Sequence, residues 1–92
     1  MNLGIENEYQ EFKAGLGQLD KGLKSLAAML NKHGQAAVYF GVDDNGDVCG
    51  LSIGKDTLMD IRNRIRDTID PRIYADIQEQ TDDSGKKYIK VT

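Results

Sequence analysis

Residues 36–52 read Ala36-Ala37-Val38-Tyr39-Phe40-Gly41-Val42-Asp43-Asp44-Asn45-Gly46-Asp47-Val48-Cys49-Gly50-Leu51-Ser52. The first seven are apolar throughout and rich in β-branched and aromatic side chains, as in a central strand buried on both faces. Asn45-Gly46 is the dipeptide that most readily adopts the positive φ angles of a tight hairpin turn. The stretch predicts a central strand over Ala36–Val42, a turn over Asp44–Asp47 and a returning strand over Val48–Ser52. The flanking segments must then supply the neighbours and the cover of that strand.

Toward the N-terminus, Leu19, Leu23, Leu26, Ala27 and Leu30 fall at helical spacing over Leu19–Lys32. Gly34, behind Lys32 and His33, is a helix stop, and a cationic imidazole at His33 suits the helix dipole. Ahead of this helix, Gly15 and Gly17 end a short strand over Tyr9–Lys13. Its alternation puts Tyr9, Glu11 and Lys13 on one face and Gln10 and Phe12 on the other. Toward the C-terminus, Leu58, Ile61, Ile65 and Ile69 form the apolar stripe of a second helix over Thr57–Ile69, ended by Pro71. Ile73, Ala75 and Ile77 alternate with polar residues, as in a half-exposed strand. Asp82-Asp83-Ser84-Gly85 is a turn. In the last strand Lys87, Ile89 and Val91 share one face and Tyr88 and Lys90 the other. The order β-α-β-β-α-β-β predicts an α+β fold, a single mixed β-sheet with two helices packed on one face. Its first crossover should be parallel and right-handed.

The chain has 92 residues, enough for one domain and too few for two. Its net charge of −3 excludes a uniformly basic nucleic-acid binder but not a local basic face. The acidity is confined to residues 1–50, with 4 basic and 7 acidic side chains, whereas residues 51–92 carry 8 of each. The single cysteine, Cys49, excludes an intramolecular disulfide and a multi-cysteine zinc site, and reads as a small core residue of the returning strand. No apolar run reaches the ~18 residues of a membrane span. Met1–Glu6 lacks the basic-then-apolar pattern of a secretory signal, so a cytoplasmic location without membrane contact is expected. The last strand runs to Thr92 without a stop signal. Residues 1–92 are therefore expected to be one domain, N-terminal and cut short at its C-terminal side, of a longer protein.

Glu11 and Lys13, two apart on a strand, share a face, and Asp43 follows the neighbouring strand on the side of Tyr39 and Gly41. If these two strands are parallel, Lys13 and Asp43 both lie near their carboxyl ends, where open α/β sheets tend to place ligands, and Glu11, Lys13 and Asp43 can converge. Two carboxylates can hold a divalent cation, and a nearby lysine can neutralise a phosphate. Glu6 has the wrong parity for the same strand face and would have to reach in from a loop or a bulge. The plainer alternative is a cross-strand ion pair between Glu11 and Lys13 on a solvated sheet face, with Asp43 opening the hairpin turn.

Together, Glu6-x4-Glu11-Phe12-Lys13, Leu26-Ala27-Ala28-Met29-Leu30-Asn31-Lys32-His33-Gly34, Tyr39–Gly50 and Ile69-Asp70-Pro71-Arg72-Ile73 resemble the Schlafen AlbA-like domain family, from about Leu3 to the end. The resemblance implies a domain described as DNA-binding. Such domains stand at the N-terminus of transcriptional regulators and of ATP-binding, helicase-related proteins. For animal Schlafens it implies a nuclease core that cleaves structured RNA with a carboxylate trio and a lysine. Matched by position these are Glu6, Glu11, Asp43 and Lys13, with Mg2+ or Mn2+ on Glu6, Glu11 and Asp43. That enzyme uses two such modules, so this chain would need to form a homodimer for an equivalent cradle. The sequence departs from the family at Asn31-Lys32-His33-Gly34-Gln35, where Gln35 replaces a second glycine.

The region of the second helix carries Lys55, Arg62, Arg64, Arg66 and Arg72, answered by Asp56, Asp60, Asp67 and Asp70. Asp60 and Arg64 have the spacing of a surface ion pair, while Arg62 and Arg66 share a face that phosphates can reach. Lys86, Lys87 and Lys90 repeat the pattern at the last hairpin. The first expectation is a nucleic-acid-binding regulatory module of a transcriptional regulator. It would take DNA or RNA on Lys55, Arg62, Arg66, Arg72, Lys86 and Lys87, without a cofactor. The second is a metal-dependent endoribonuclease, and the third a dimerisation or protein-interaction domain.

Overall fold

The computed structural model describes residues 1–69 and 75–92. Its elements are β1 (Gln10–Lys13), a 3-10 turn (Leu16–Gln18), α1 (Leu19–His33), β2 (Ala37–Phe40), α2 (Thr57–Thr68), β3 (Ile77–Thr81) and β4 (Lys87–Val91). They build one mixed sheet in the order β1-β2-β4-β3, with β1 and β2 parallel and the other two pairs antiparallel. This is the expected α+β class, one mixed sheet with two helices. Asp70, Pro71, Arg72 and Ile73, with the expected helix stop, lie outside the described residues.

The main core lies between the sheet and both helices. Side-by-side residues of neighbouring strands point to the same face, so Val38 and Phe40 of β2 line up with Val91 and Ile89 of β4. Against them pack Leu23 and Leu26 of α1 and Ile61 of α2, all buried, with Ile69 just beyond α2. These are the stripes that the helical spacing predicted. Leu19, Ala27, Leu30, Leu58 and Ile65 complete them at the rim. α1 ends at Gly34, whose φ of 77° lets its N–H reach the Leu30 carbonyl at 2.8 Å. The spacing between α1 and the sheet is set by Gly22. A Cβ placed there would stand 2.6 Å from Cζ of Phe40.

A smaller core covers the opposite face. Phe12, Val42, Val48 and Tyr88 are buried together, with Leu3 and Tyr39 packed against them. Phe12 and Tyr39 meet edge to face at 5.9 Å. The lid over this core is the N-terminal segment. Leu3 N–H donates to the Gly46 carbonyl (2.8 Å) and Val48 N–H to the Met1 carbonyl (2.9 Å).

Four expectations need correction. Val42 does not continue the side of Val38 and Phe40. β2 ends at Phe40, and Gly41, at φ 92°, turns the chain so that Val42 joins Tyr39 in the smaller core. The returning segment Val48–Ser52 pairs with β2's continuation only through an isolated bridge, Val42–Val48. Cys49 is consequently exposed in a loop rather than buried in a strand, with Sγ 3.5 Å from the Ala14 carbonyl. β3 starts at Ile77, where the alternating stretch was expected to end, because the hairpin register pairs Thr81 with Lys87 across the turn at 82–85.

That turn is organised by Asp82, whose side chain is fully buried. Its Oδ1 accepts from the N–H of Ser84 (2.9 Å), the Ser84 hydroxyl (2.9 Å) and the N–H of Lys86 (2.8 Å). Burial works against its ionisation, but these hydrogen bonds, helped by the nearby terminal ammonium, hold the carboxyl below its ordinary value.

Two measurements follow from this packing. Helix propensity alone favours Gly22→Ala by ~1 kcal/mol. The contact with Phe40 reverses the sign, and a net loss of about 1–2 kcal/mol is expected in urea unfolding. Asp82→Asn lowers the thermal midpoint at pH 7. Because the native carboxyl is depressed, its contribution is present above the ordinary 3.8 and fades as pH falls through the native value, so parent and variant midpoints converge in acid.

Candidate functional site

Both sets of predicted site residues are determined by how the sheet is assembled. Glu11 and Lys13 stand beside Val38 and Phe40 in the parallel register and therefore face the helices. They form an ion pair at 3.9 Å, but not on a solvated face: their side chains are only 25% and 18% exposed. Oε2 of Glu11 is buried and has no hydrogen-bond partner. Glu6 sits on the loop between the N-terminal lid and β1, the approach from a loop that its parity required. The loop is held by Gln10, whose amide donates to the Ile5 carbonyl at 2.9 Å.

Glu6 titrates above its ordinary value. Burial is the largest cause, followed by the negative charges of Glu11 and Asp44, and Lys13 offsets part of it. The acidic neighbour that the sequence reading passed over is thus Asp44. The repeated acid in Asp43-Asp44 was the available signal, read only at its first position. Asp43 commits Oδ1 to the turn, accepting from the N–H of Asn45 (2.9 Å) and of Asp47 (3.1 Å). Among the described residues no three His, Cys, Asp or Glu side chains are grouped to hold a metal ion. A resident Mg2+ or Mn2+ on Glu6, Glu11 and Asp43 together does not fit this arrangement.

The basic residues divide between the two ends of the sheet. Lys86 lies against Gly50, and the Lys87 carbonyl accepts from Leu51 N–H at 2.8 Å, beside the exit of β2. Lys87 also pairs with Glu79 at 3.3 Å. Arg62 and Arg66 border a groove of about 340 Å³ with Ile65 and the segment Ala75–Ile77. They therefore lie at the far end of β4, about 13 Å away along a strand rising ~3.3 Å per residue. Lys55 is exposed ahead of α2, and Arg72 lies outside the described residues. Arg64 reaches across to Asp20 of α1 at 3.4 Å rather than along its own helix to Asp60. His33 closes α1 as expected, and it also packs on Tyr9 with the rings tilted by 55° and their centroids 4.8 Å apart, and meets Glu8 at 3.4 Å.

The family model described as Schlafen, AlbA_2 matches residues 6–92. No curated protein and no solved structure matches the chain. No helix among the described residues is long and apolar enough to cross a membrane.

The crowding around Glu6 has a measurable consequence. Its native pKa is raised, so the stabilising form is the protonated one. That stability is present below the ordinary 4.5 and lost as pH rises through the native value. Glu6→Gln is expected to melt slightly higher than the parent at pH 7 in low salt. The advantage should vanish below the ordinary glutamate value and shrink in high salt.

Proposed function

Because the chain belongs to the Schlafen, AlbA_2 family, we propose that it is a nucleic-acid-binding module serving a transcriptional regulator in the cytoplasm. The observation that carries this reading is the pair Arg62 and Arg66. They stand one helical turn apart on α2, both exposed, and open onto a groove rather than onto a flat helix face. Two guanidiniums at that spacing suit successive phosphate oxygens. The chain as a whole is acidic, so attraction is local, and affinity must fall steeply as salt screens it. The carboxylates near Glu6 lie at the other end of the sheet and do not repel a backbone held there.

Titration of labelled DNA and RNA at several salt concentrations tests the reading. Replacing both Arg62 and Arg66 by Ala should weaken binding and lower the slope of log K against log salt by about 1–2. Absence of any salt-sensitive binding to DNA or RNA would overturn it in favour of a protein-interaction domain. Incubation of tRNA with Mg2+, Mn2+ or EDTA separates the nuclease reading. Metal-dependent cleavage abolished by Glu11→Gln would make the carboxylate end the functional one.

A further inference from the structure

We propose that the module takes single-stranded rather than duplex nucleic acid, with one unstacked base in a groove between Tyr9 and Lys90 and the backbone passing on to Arg62 and Arg66. This inference rests on the nucleic-acid reading above and specifies the form of the strand. The groove has a volume of about 510 Å³ and is lined by Tyr9, Leu30, Ala36, Ala37, Asp76 and Lys90. It is an open depression and not an enclosed pocket, so a base rests on it with one side toward solvent. Leu30, Ala36 and Ala37 supply apolar walls and Asp76 an acceptor for base N–H groups, while the Lys90 ammonium rests over the Tyr39 ring, 5.8 Å from its centroid, and swings from there to a phosphate of the bound strand. The starts of β1, β2 and β3, the end of β4 and the end of α1 all lie at this end of the sheet, which is why residues so far apart in sequence share one depression.

Tyr9 is the feature that points to a base. It is 46% exposed, a large aromatic side chain left at the surface. His33 leans against its ring, with centroids 4.8 Å apart and the planes tilted by 55°, and His33 is held in turn by Glu8 at 3.4 Å. A ring already fixed on one side loses little freedom when a base stacks on the other. In a duplex both faces of each base are covered, so only an unpaired base can offer its face to Tyr9. Asp76 also borders the groove of Arg62 and Arg66, so the two depressions meet at this residue. The backbone of Asp76 is fixed by paired hydrogen bonds with Thr92 at 2.6 and 2.9 Å. The track therefore has an aromatic wall and a lysine on one side of Asp76 and two arginines on the other.

Fluorescence anisotropy with the 92-residue chain tests this using four probes of equal length, about 12 nucleotides. They are oligothymidylate, oligouridylate, an abasic phosphodiester and a duplex. The two single strands should bind alike, and the abasic strand and the duplex about tenfold more weakly. Tyr9→Ala should bring the oligothymidylate down to the abasic level, and Lys90→Gln should weaken it, whereas Lys24→Gln on the outer side of α1 should change nothing. Circular dichroism melting checks that each variant is folded. If Tyr9→Ala does not fold, the abasic comparison on the parent chain and Lys90→Gln still decide. Equal binding of all four probes that still depends on Arg62 and Arg66 overturns the base groove and leaves the nucleic-acid reading standing. Absence of salt-sensitive binding to any probe overturns both.

Discussion

The contact between Gly22 and the ring of Phe40 sets the geometry on which the rest of the molecule depends. The absent side chain lets α1 settle on β2 closely enough for Leu23 and Leu26 to reach Val38 and Phe40. In a domain this small the buried apolar surface is limited, so one helix standing off the sheet would remove a large part of the core. The same approach places His33, at the end of α1, beside Tyr9, just ahead of β1. It also leaves the pair Glu11 and Lys13 between helix and sheet instead of in open water.

A second constraint sits at the end of β2. Gly41 takes a left-handed conformation, and from there the chain changes face. Val42 and Val48 drop into the smaller core, the turn at 43–47 folds back, and the N-terminal segment closes over it. This arrangement brings Glu6 near Glu11 and Asp44, and holds Asp43 in the turn. Like charges kept together at the expense of stability are a common mark of functional surfaces. Here they form an acidic end, and the arginine groove lies at the opposite end of β4. The net charge of −3 thus averages over two separate fields, an acidic end supplied by residues 1–50 and an arginine groove supplied by α2.

Much of the fold was legible in the residues themselves. Helical spacing of leucines and isoleucines located α1 and α2, and Gly34 marked the end of α1, because a helix can bury only one stripe and needs a terminator. The alternation in Tyr9–Lys13 assigned Phe12 to the face away from Glu11, as found. The short β3 was harder to read, since Ile73, Ala75 and Ile77 alternate like a strand while the ladder occupies Ile77–Thr81. Pairing to β4, not local pattern, decided that register.

The sequence by itself determined the α+β class, the apolar stripes of the helices and the residue types available for a site, because these follow from period and composition. Tertiary structure alone decided which charges meet. Asp44 enters the field of Glu6 because a glycine turns the chain. Arg64 pairs with Asp20 because two helices pack side by side. Tyr9, Asp76 and Lys90 share a groove because β4 lies between β2 and β3. Such neighbours are far apart along the chain, and no local spacing encodes the strand order that joins them.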